Sequence, residues 1–307
     1  MTGNDDRPAY RPYLVTVTDI IALSEHFIRV TFTGPDLKHF GTDRLDQRIK
    51  VVFPHPDGTL TDFGFTDPAV LTAGDWHRRW RELPQETRNP IRTYTIRHVR
   101  NSVCEIDVDF FSHSSPGQET DGAASRWLAR AAHGDALVIV GPDARSSREG
   151  GGIEWNPGTA TRLLLAGDET AVPAIANIVE TLDDHVTAEV FIEVGSQQDA
   201  LVMGGAAAVT WLEQVTDQPG AALTSAIDRW ARTVATRAEE QALPDVDVDT
   251  ELLWEAPPSA ARDHYIWLAG EAGVVKSLRR FLVQEHQIDK SCIAFMGYWR
   301  QGRAESL

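Results

Sequence analysis

Cysteine is nearly absent from this sequence: Cys104 and Cys292 are the only two among 307 residues. They stand far apart, each in a strand-like apolar context, which excludes a disulfide framework, a CxxC metal pair and an iron–sulfur cluster held by cysteine alone. Any electron carrier has to be organic, or a metal held by other ligands. Long apolar runs are missing as well. Stretches such as 136–140 and 163–166 fall far short of the roughly 20 residues that a bilayer-spanning helix needs. The opening Met1-Thr2-Gly3-Asn4-Asp5-Asp6 has no basic region followed by an apolar run, so a cytoplasmic protein with no membrane partner is expected. Positive charge is also scarce. Lys and Arg number 29 against 45 Asp and Glu, a formal charge of −16, which speaks against nucleic acid or an anionic membrane as partner because both surfaces are negative. A basic patch that survives on this background is informative.

The length suits two domains of ordinary size, each able to bury its own core. From Tyr13 to about Pro142 the chain alternates short runs rich in β-branched and aromatic residues with turn clusters such as Pro56-Asp57-Gly58, the pattern of an antiparallel β-barrel. One helix is expected at about 122–132. Glycine and proline then cluster between 145 and 161, and the domain boundary is placed there, giving domains 1–145 and 146–307. Beyond it strands alternate with helices: strands at 162–166, 189–194, 265–269 and 292–296, and helices at about 172–182 and 273–285. That order implies a parallel α/β sheet with crossovers. The acidic stretch 239–263 reads as a surface loop.

Arg92-Thr93-Tyr94-Thr95-Ile96-Arg97 lies on a barrel strand. Alternation puts Arg92, Tyr94 and Ile96 on one face and Thr93, Thr95 and Arg97 on the other, unless a bulge intervenes. A guanidinium can pair with a phosphate, a tyrosine can pack along a flavin and its ribityl chain, and a threonine can hydrogen-bond the ring's polar edge. An ordinary strand with surface arginines is the competing reading. After the strand ending Asp109-Phe110-Phe111 come His113 and then Gly122-Ala123-Ala124-Ser125-Arg126-Trp127, a small-residue turn opening a helix. Small residues let a ligand approach the backbone, and the free N–H groups of a helix start attract an anion such as a pyrophosphate. Gly167-Asp168-Glu169-Thr170 sits between a strand and a helix, where open α/β sheets bind ligands. Its carboxylates would repel a phosphate, so a cap by Asp168 or Thr170 stands beside cofactor contact as an equal reading. Glu271 is open to the same two readings.

Together these blocks, with Ala269-Gly270-Glu271-Ala272 and Gly297-Tyr298-Trp299-Arg300-Gln301-Gly302, resemble the siderophore-interacting protein family, FAD-dependent ferric-siderophore reductases of the ferredoxin-reductase superfamily. The resemblance covers nearly the whole chain. It implies FAD held by Arg92, Tyr94, Thr95, Asp109, Phe110, Phe111, His113, Gly122, Ala123, Ala124 and Ser125, and a pyridine-nucleotide side that includes Asp168, Thr170 and Trp299. The stretch 114–121 is longer than is usual in the family. Tyr298-Trp299-Arg300 is either an aromatic plug or a cover over the flavin.

A ferric siderophore is bulky and often anionic, so its site is expected to be an open, positively charged cleft. Lys50, Arg145 and Arg300 are the candidates, with convergence of their charged ends as the condition. NADH or NADPH is expected to reduce the flavin, which then reduces Fe(III) with no general acid or base required. The chain runs only five residues past Gly302, which leaves no room for the extra C-terminal helix common in ferredoxin-using members and favours NAD(P)H. A monomer is expected. The rival functions are a general ferric-chelate or flavin reductase and a non-catalytic siderophore-binding flavoprotein.

Overall fold

The computed structural model describes residues 7–112, 122–148, 151–215, 218–234, 253–258 and 263–302. The chain divides into two compact units that meet between 153 and 154, not after 145. The reason is local: the Arg48 amide donates to the Gly152 carbonyl (2.7 Å) and the Tyr10 hydroxyl to that of Gly151 (2.7 Å), which ties 151–152 to the first unit.

The first unit contains strands β1 (Tyr10–Ala22), β2 (Phe27–Thr33) and β3 (Arg48–Val52), helices α1 (Pro68–Ala73) and α2 (Trp76–Glu82), strands β4 (Ile91–Arg100) and β5 (Glu105–Phe111), helix α3 (Ala123–Leu128) and strand β6 (Ala136–Pro142). The six strands close into an antiparallel barrel in the order β1-β2-β5-β4-β3-β6. Alternate residues of each strand fill the interior, as strand periodicity requires. Phe32, Ile49, Val51, Ile96, Val108 and Phe110 are among these buried side chains. Trp127 of α3 lies against Phe32, Phe53 and Phe110.

α1 and α2 were not foreseen from the sequence. Asp67 accepts from the Ala69 amide at the start of α1, and Gly74 (φ 71°) ends it in the left-handed region, where only glycine sits without penalty. Trp76 and Trp80, one turn apart on α2, pack with Val52, Ile91, Val138 and Val140 on the outside of the barrel. Burying side chains of that size stabilises by roughly 1.5–3 kcal/mol each, which is enough to hold so short a helix in place.

The second unit contains β7 (Arg162–Asp168), α4 (Val172–Val179), β8 (Thr187–Val194), β9 (Ala208–Glu213), α5 (Ala221–Ala231), β10 (Trp254–Glu255), β11 (His264–Glu271), α6 (Ala272–Gln284) and β12 (Ile293–Trp299). The sheet order is β10-β12-β11-β7-β8-β9, parallel throughout except for β10. Every residue of α4 is buried, in keeping with an apolar run that shows no polar face. β9, α5 and β10 were missed in the sequence. β10 corrects part of the expected 239–263 loop, because Trp254 and Glu255 pair with Met296 and Phe295; 239–252 and 259–262 lie outside the described residues.

Candidate functional site

β4 is shared unevenly between its neighbours. With β3 it pairs from Val52↔Ile91 to Arg48↔Thr95, but with β5 only from Ile96↔Val108 to Arg100↔Glu105. On its other edge β5 pairs with β2 along its whole length, from Thr33↔Glu105 to Phe27↔Phe111. Among the described residues no ladder joins 92–95 to 109–111, so the barrel wall opens there. The register shift between Ile96 and His98 marks a bulge at the mouth of this opening, and a bulge bends and twists its strand.

The opening carries the residues singled out in the sequence. Tyr94 and Arg92 face the same side as their partners Ile49 and Val51, as alternation predicts up to the bulge. The Tyr94 ring meets Phe110 edge-on at 4.6 Å between centroids. Arg92 is half-buried, with one guanidinium nitrogen donating to the Ile91 carbonyl at 2.7 Å. Thr95 is buried on the opposite side. Phe111 ends β5 at the opening, against Phe27 and His26. Gly122 precedes α3 with no side-chain cap on the helix start, and a Cβ at Gly122 would meet only the Ser125 Oγ, at 3.6 Å. His113 lies outside the described residues.

Two of the expected contacts have other partners. Asp109 is a buried carboxylate held by both Arg29 Nε (2.7 Å) and Nη2 (2.8 Å), with Arg97 at 3.8 Å. Phe110 is fully buried in the barrel core. Strand alternation explains both: Asp109 and Phe110 point to opposite faces of β5, and neither side chain is presented at the wall opening as Tyr94 is. Arg29, which the sequence reading missed, is the cross-strand neighbour of Asp109.

The same outer face carries a second charged knot. Asp107 accepts from Arg100 (2.6 and 2.7 Å), Thr31 (2.9 Å) and His98 (2.9 Å). Burial opposes its ionisation, but the bonds from Arg100, His98 and Thr31 outweigh that and hold it well below the usual carboxylate range.

In the second unit the strand C-termini meet at Asp168. One oxygen accepts from the Thr170 amide (2.9 Å) and hydroxyl (2.5 Å); the other accepts from the Glu271 amide (2.7 Å) and Trp299 Nε1 (2.8 Å). Asp168 thus caps the turn through Thr170, and Trp299 is a partner of the same carboxylate. Glu271 in turn caps α6 through the Val274 amide (2.9 Å). Burial raises the pKa of Asp168. Burial and then the charge of Asp168 push neighbouring Glu169 up to about 8.

The candidate substrate cations are placed as follows. Lys50 is on β3, its Nζ 3.5 Å from the Thr93 hydroxyl. Arg145 pairs through two nitrogens with Asp143, at 2.7 and 2.9 Å. Arg300 directly follows β12 in the other unit and is half-buried. The structure thus puts Lys50 beside the flavin-type strand, while the Arg145 guanidinium is engaged by a buried carboxylate.

The donors fit a flavin nucleotide. An opened barrel wall offers a tyrosine ring and a guanidinium on one strand, and a nearby helix start free of a side-chain cap suits a pyrophosphate. A closed antiparallel barrel, in a chain whose other unit is a mainly parallel α/β sheet, defines the ferredoxin-reductase-like fold. Residues 16–146 match the model of a siderophore-interacting FAD-binding domain, and residues 160–302 that of the siderophore-interacting protein. An uncharacterized protein of Mycobacterium tuberculosis is 32% identical over 93% of this chain and 89% of its own. The ferric vibriobactin reductase ViuB of Vibrio cholerae is 27% identical (92% and 87%), and the NADPH-dependent ferric-chelate reductase of Escherichia coli 28% (93% and 91%). The crystal structure of the siderophore-interacting protein SipS from Aeromonas hydrophila superposes with a TM-score of 0.64 at 24% identity, covering 96% of this chain and all of that one. The chain belongs to the siderophore-interacting protein family.

Proposed function

We propose that this protein is an FAD-dependent oxidoreductase that reduces the iron of a ferric siderophore, with NADH or NADPH as donor. The observation that carries the reading is the opening of the barrel wall between 92–95 and 109–111, where Arg92 and Tyr94 share a face of the strand. There Tyr94 would pack along the ring system and the Arg92 guanidinium would pair with a phosphate. The backbone of Thr95 and Phe111 would border the ring, and the amides of Ala123, Ala124 and Ser125 would receive the pyrophosphate. When bound, FAD supplies the conversion between a two-electron donor and the one-electron reduction of Fe(III). The protein's own contribution is position and charge. Asp109 and Phe110 support the opening from either side of β5. Lys50 meets the ferric chelate beside Thr93, and Arg300 is the second candidate. The strand ends around Asp168 and Trp299 are the side for the nicotinamide donor. The relatives named as reductases support this chemistry, as does the dependence of one of them on NADPH. Action as a cytoplasmic monomer is part of the same reading.

The test is anaerobic. The purified holoprotein is photoreduced, a ferric siderophore is added with ferrozine present, and the visible flavin band is followed. Prompt reoxidation with formation of Fe(II)–ferrozine is expected; a flavin that stays reduced puts a non-catalytic siderophore-binding role ahead. Arg92→Ala is expected to weaken FAD retention by roughly tenfold or more, one charge-assisted phosphate contact being worth ~1.5–3 kcal/mol. The ratio of flavin to protein absorbance after gel filtration reads this directly.

A further inference from the structure

Residues 163–228 include eleven aspartates and glutamates and not one lysine or arginine. They form β7, α4, β8, β9 and most of α5. The sheet order β10-β12-β11-β7-β8-β9 runs outward from β7 on one side and from β11 on the other, so the switch point where such sheets take a nucleotide lies between these two strands. A dinucleotide bound there sets its pyrophosphate beside the first strand and its adenosine ribose beside the end of the second, here β8. What surrounds the end of β8 is acidic. Both carboxylate oxygens of Glu193 accept from amides at the start of α5, from Gly220 at 2.6 Å and Ala222 at 3.1 Å. A helix start is where a phosphate would be received, and this one already holds a carboxylate. The start of α6 likewise holds Glu271. Asp199, in the turn after β8, is fully buried, and its charge and that of Glu193 both reach Glu169 at the end of β7. Gln197 and Gln198, the exposed side chains of the turn, are neutral. Arg300 stands at the same edge of the sheet but follows β12, three strands or about 14 Å from β8. Lys276 belongs to α6, which packs on β11 and β12.

We propose that the donor of this protein is NADH and that NADPH is turned away, the determinant being the base-free turn 195–199 at the end of β8. The proposal rests on the reading of this sheet edge as the donor side, and it departs from the NADPH-dependent relative in Escherichia coli. Both donors carry the same pyrophosphate, so its electrostatic cost is common to them. They differ in the 2′-phosphate, which adds about 1.5 to 2 negative charges and meets carboxylates where an arginine would be needed. A free 2′-hydroxyl is neutral and can hydrogen-bond a carboxylate or a glutamine amide of the turn.

Two readouts on the FAD-loaded protein test this. Titration calorimetry compares the binding of ADP-ribose with that of 2′-phospho-ADP-ribose, and anaerobic stopped-flow follows the flavin band on mixing with NADH or NADPH. ADP-ribose is expected to bind about tenfold or more tighter, the scale of charge repulsion at close range near a protein surface, and NADH to reduce the flavin with a second-order rate constant higher by a similar factor. The gap should narrow as salt shortens the screening length. Gln198→Arg, at an exposed position, is expected to move the ratio of the two nucleotide affinities about five- to tenfold toward the phosphorylated one, and Gln197→Arg to move it in the same direction. Equal binding of both nucleotides to the wild type, tighter binding of the phosphorylated one, or a ratio that neither arginine shifts would overturn the proposal. If both donors reduce the flavin equally well, the selectivity fails and the donor reading stands. If neither nucleotide binds and neither donor reduces the flavin, the donor reading fails and the selectivity fails with it, while the photoreduction test of iron chemistry is unaffected.

Discussion

Replacing Glu169 by Gln should make the second unit more stable at neutral to alkaline pH and leave it nearly unchanged near pH 4. Glu169 is half-buried beside Asp168, and its pKa is pushed up to about 8 by burial first and by Asp168 second. In the unfolded chain the same carboxyl titrates in its ordinary range. Between the two values the folded state holds a proton that the unfolded state has released, so stability falls as pH rises through this window. The ceiling is ~1.4 kcal/mol per pH unit. Solvent screening of a half-buried group brings the total loss between about pH 4.5 and 8 down to roughly 1–2 kcal/mol. A glutamine keeps the shape and cannot ionise. Calorimetry of wild type and Glu169→Gln side by side should therefore give midpoints that coincide near pH 4, below the ordinary range of the carboxyl, and separate by roughly 3–6 °C near pH 8, with the variant higher. An offset that is the same at both pH values would refute the argument, because it would tie the effect to packing and not to the proton.

Acid should act on the barrel with the opposite sign. Asp107 is held well below the usual carboxylate range by Arg100, His98 and Thr31 against the effect of burial, so its contribution is present above the unfolded pKa and disappears as pH falls below it. Asp107→Asn is expected to flatten the acid limb of a pH-dependent urea titration. Gly270→Ala forces a side chain onto a residue at φ 146° and puts its Cβ 2.5 Å from Asp168 Oδ2; a loss of about 2–4 kcal/mol in thermal or urea unfolding is expected, through strain and a broken carboxylate cluster. Arg29→Ala strips Asp109 of its bidentate partner and leaves the weaker Arg97 contact at 3.8 Å. About 2–4 kcal/mol should be lost, whereas Arg29→Met with Asp109→Leu should recover most of it.

Much of the fold was legible in the sequence because its cause is local. Period-two runs of β-branched residues before Pro142 and the change to alternating strands and helices after Arg162 follow from burying one face of each element. Both the antiparallel barrel and the parallel sheet are consequences of that patterning. The motif blocks stand out for a related reason: each is a contiguous stretch of residue types that can be picked out along the chain. α1 and α2 left only weak traces, an Asp67-Pro68 start, Gly74 as the stop, and two tryptophans four apart. Helices of that length owe their existence to the barrel surface under Trp76 and Trp80, which the local sequence does not contain.

What the tertiary structure alone decided is which side chains have partners. Asp109, next to Phe110 in a block that reads as cofactor-binding, turns out to be committed to Arg29, a residue 80 positions away. Asp168 collects donors from Thr170, Glu271 and Trp299 because three parallel strands end side by side. The gap in the barrel ladder exists because the pairing of β5 with β4 ends at Val108 while its pairing with β2, on the other edge, runs on to Phe111. Composition and periodicity act on neighbours in the chain, and so they set the elements; hydrogen bonds and ion pairs act on neighbours in space, and only the folded backbone says who those neighbours are.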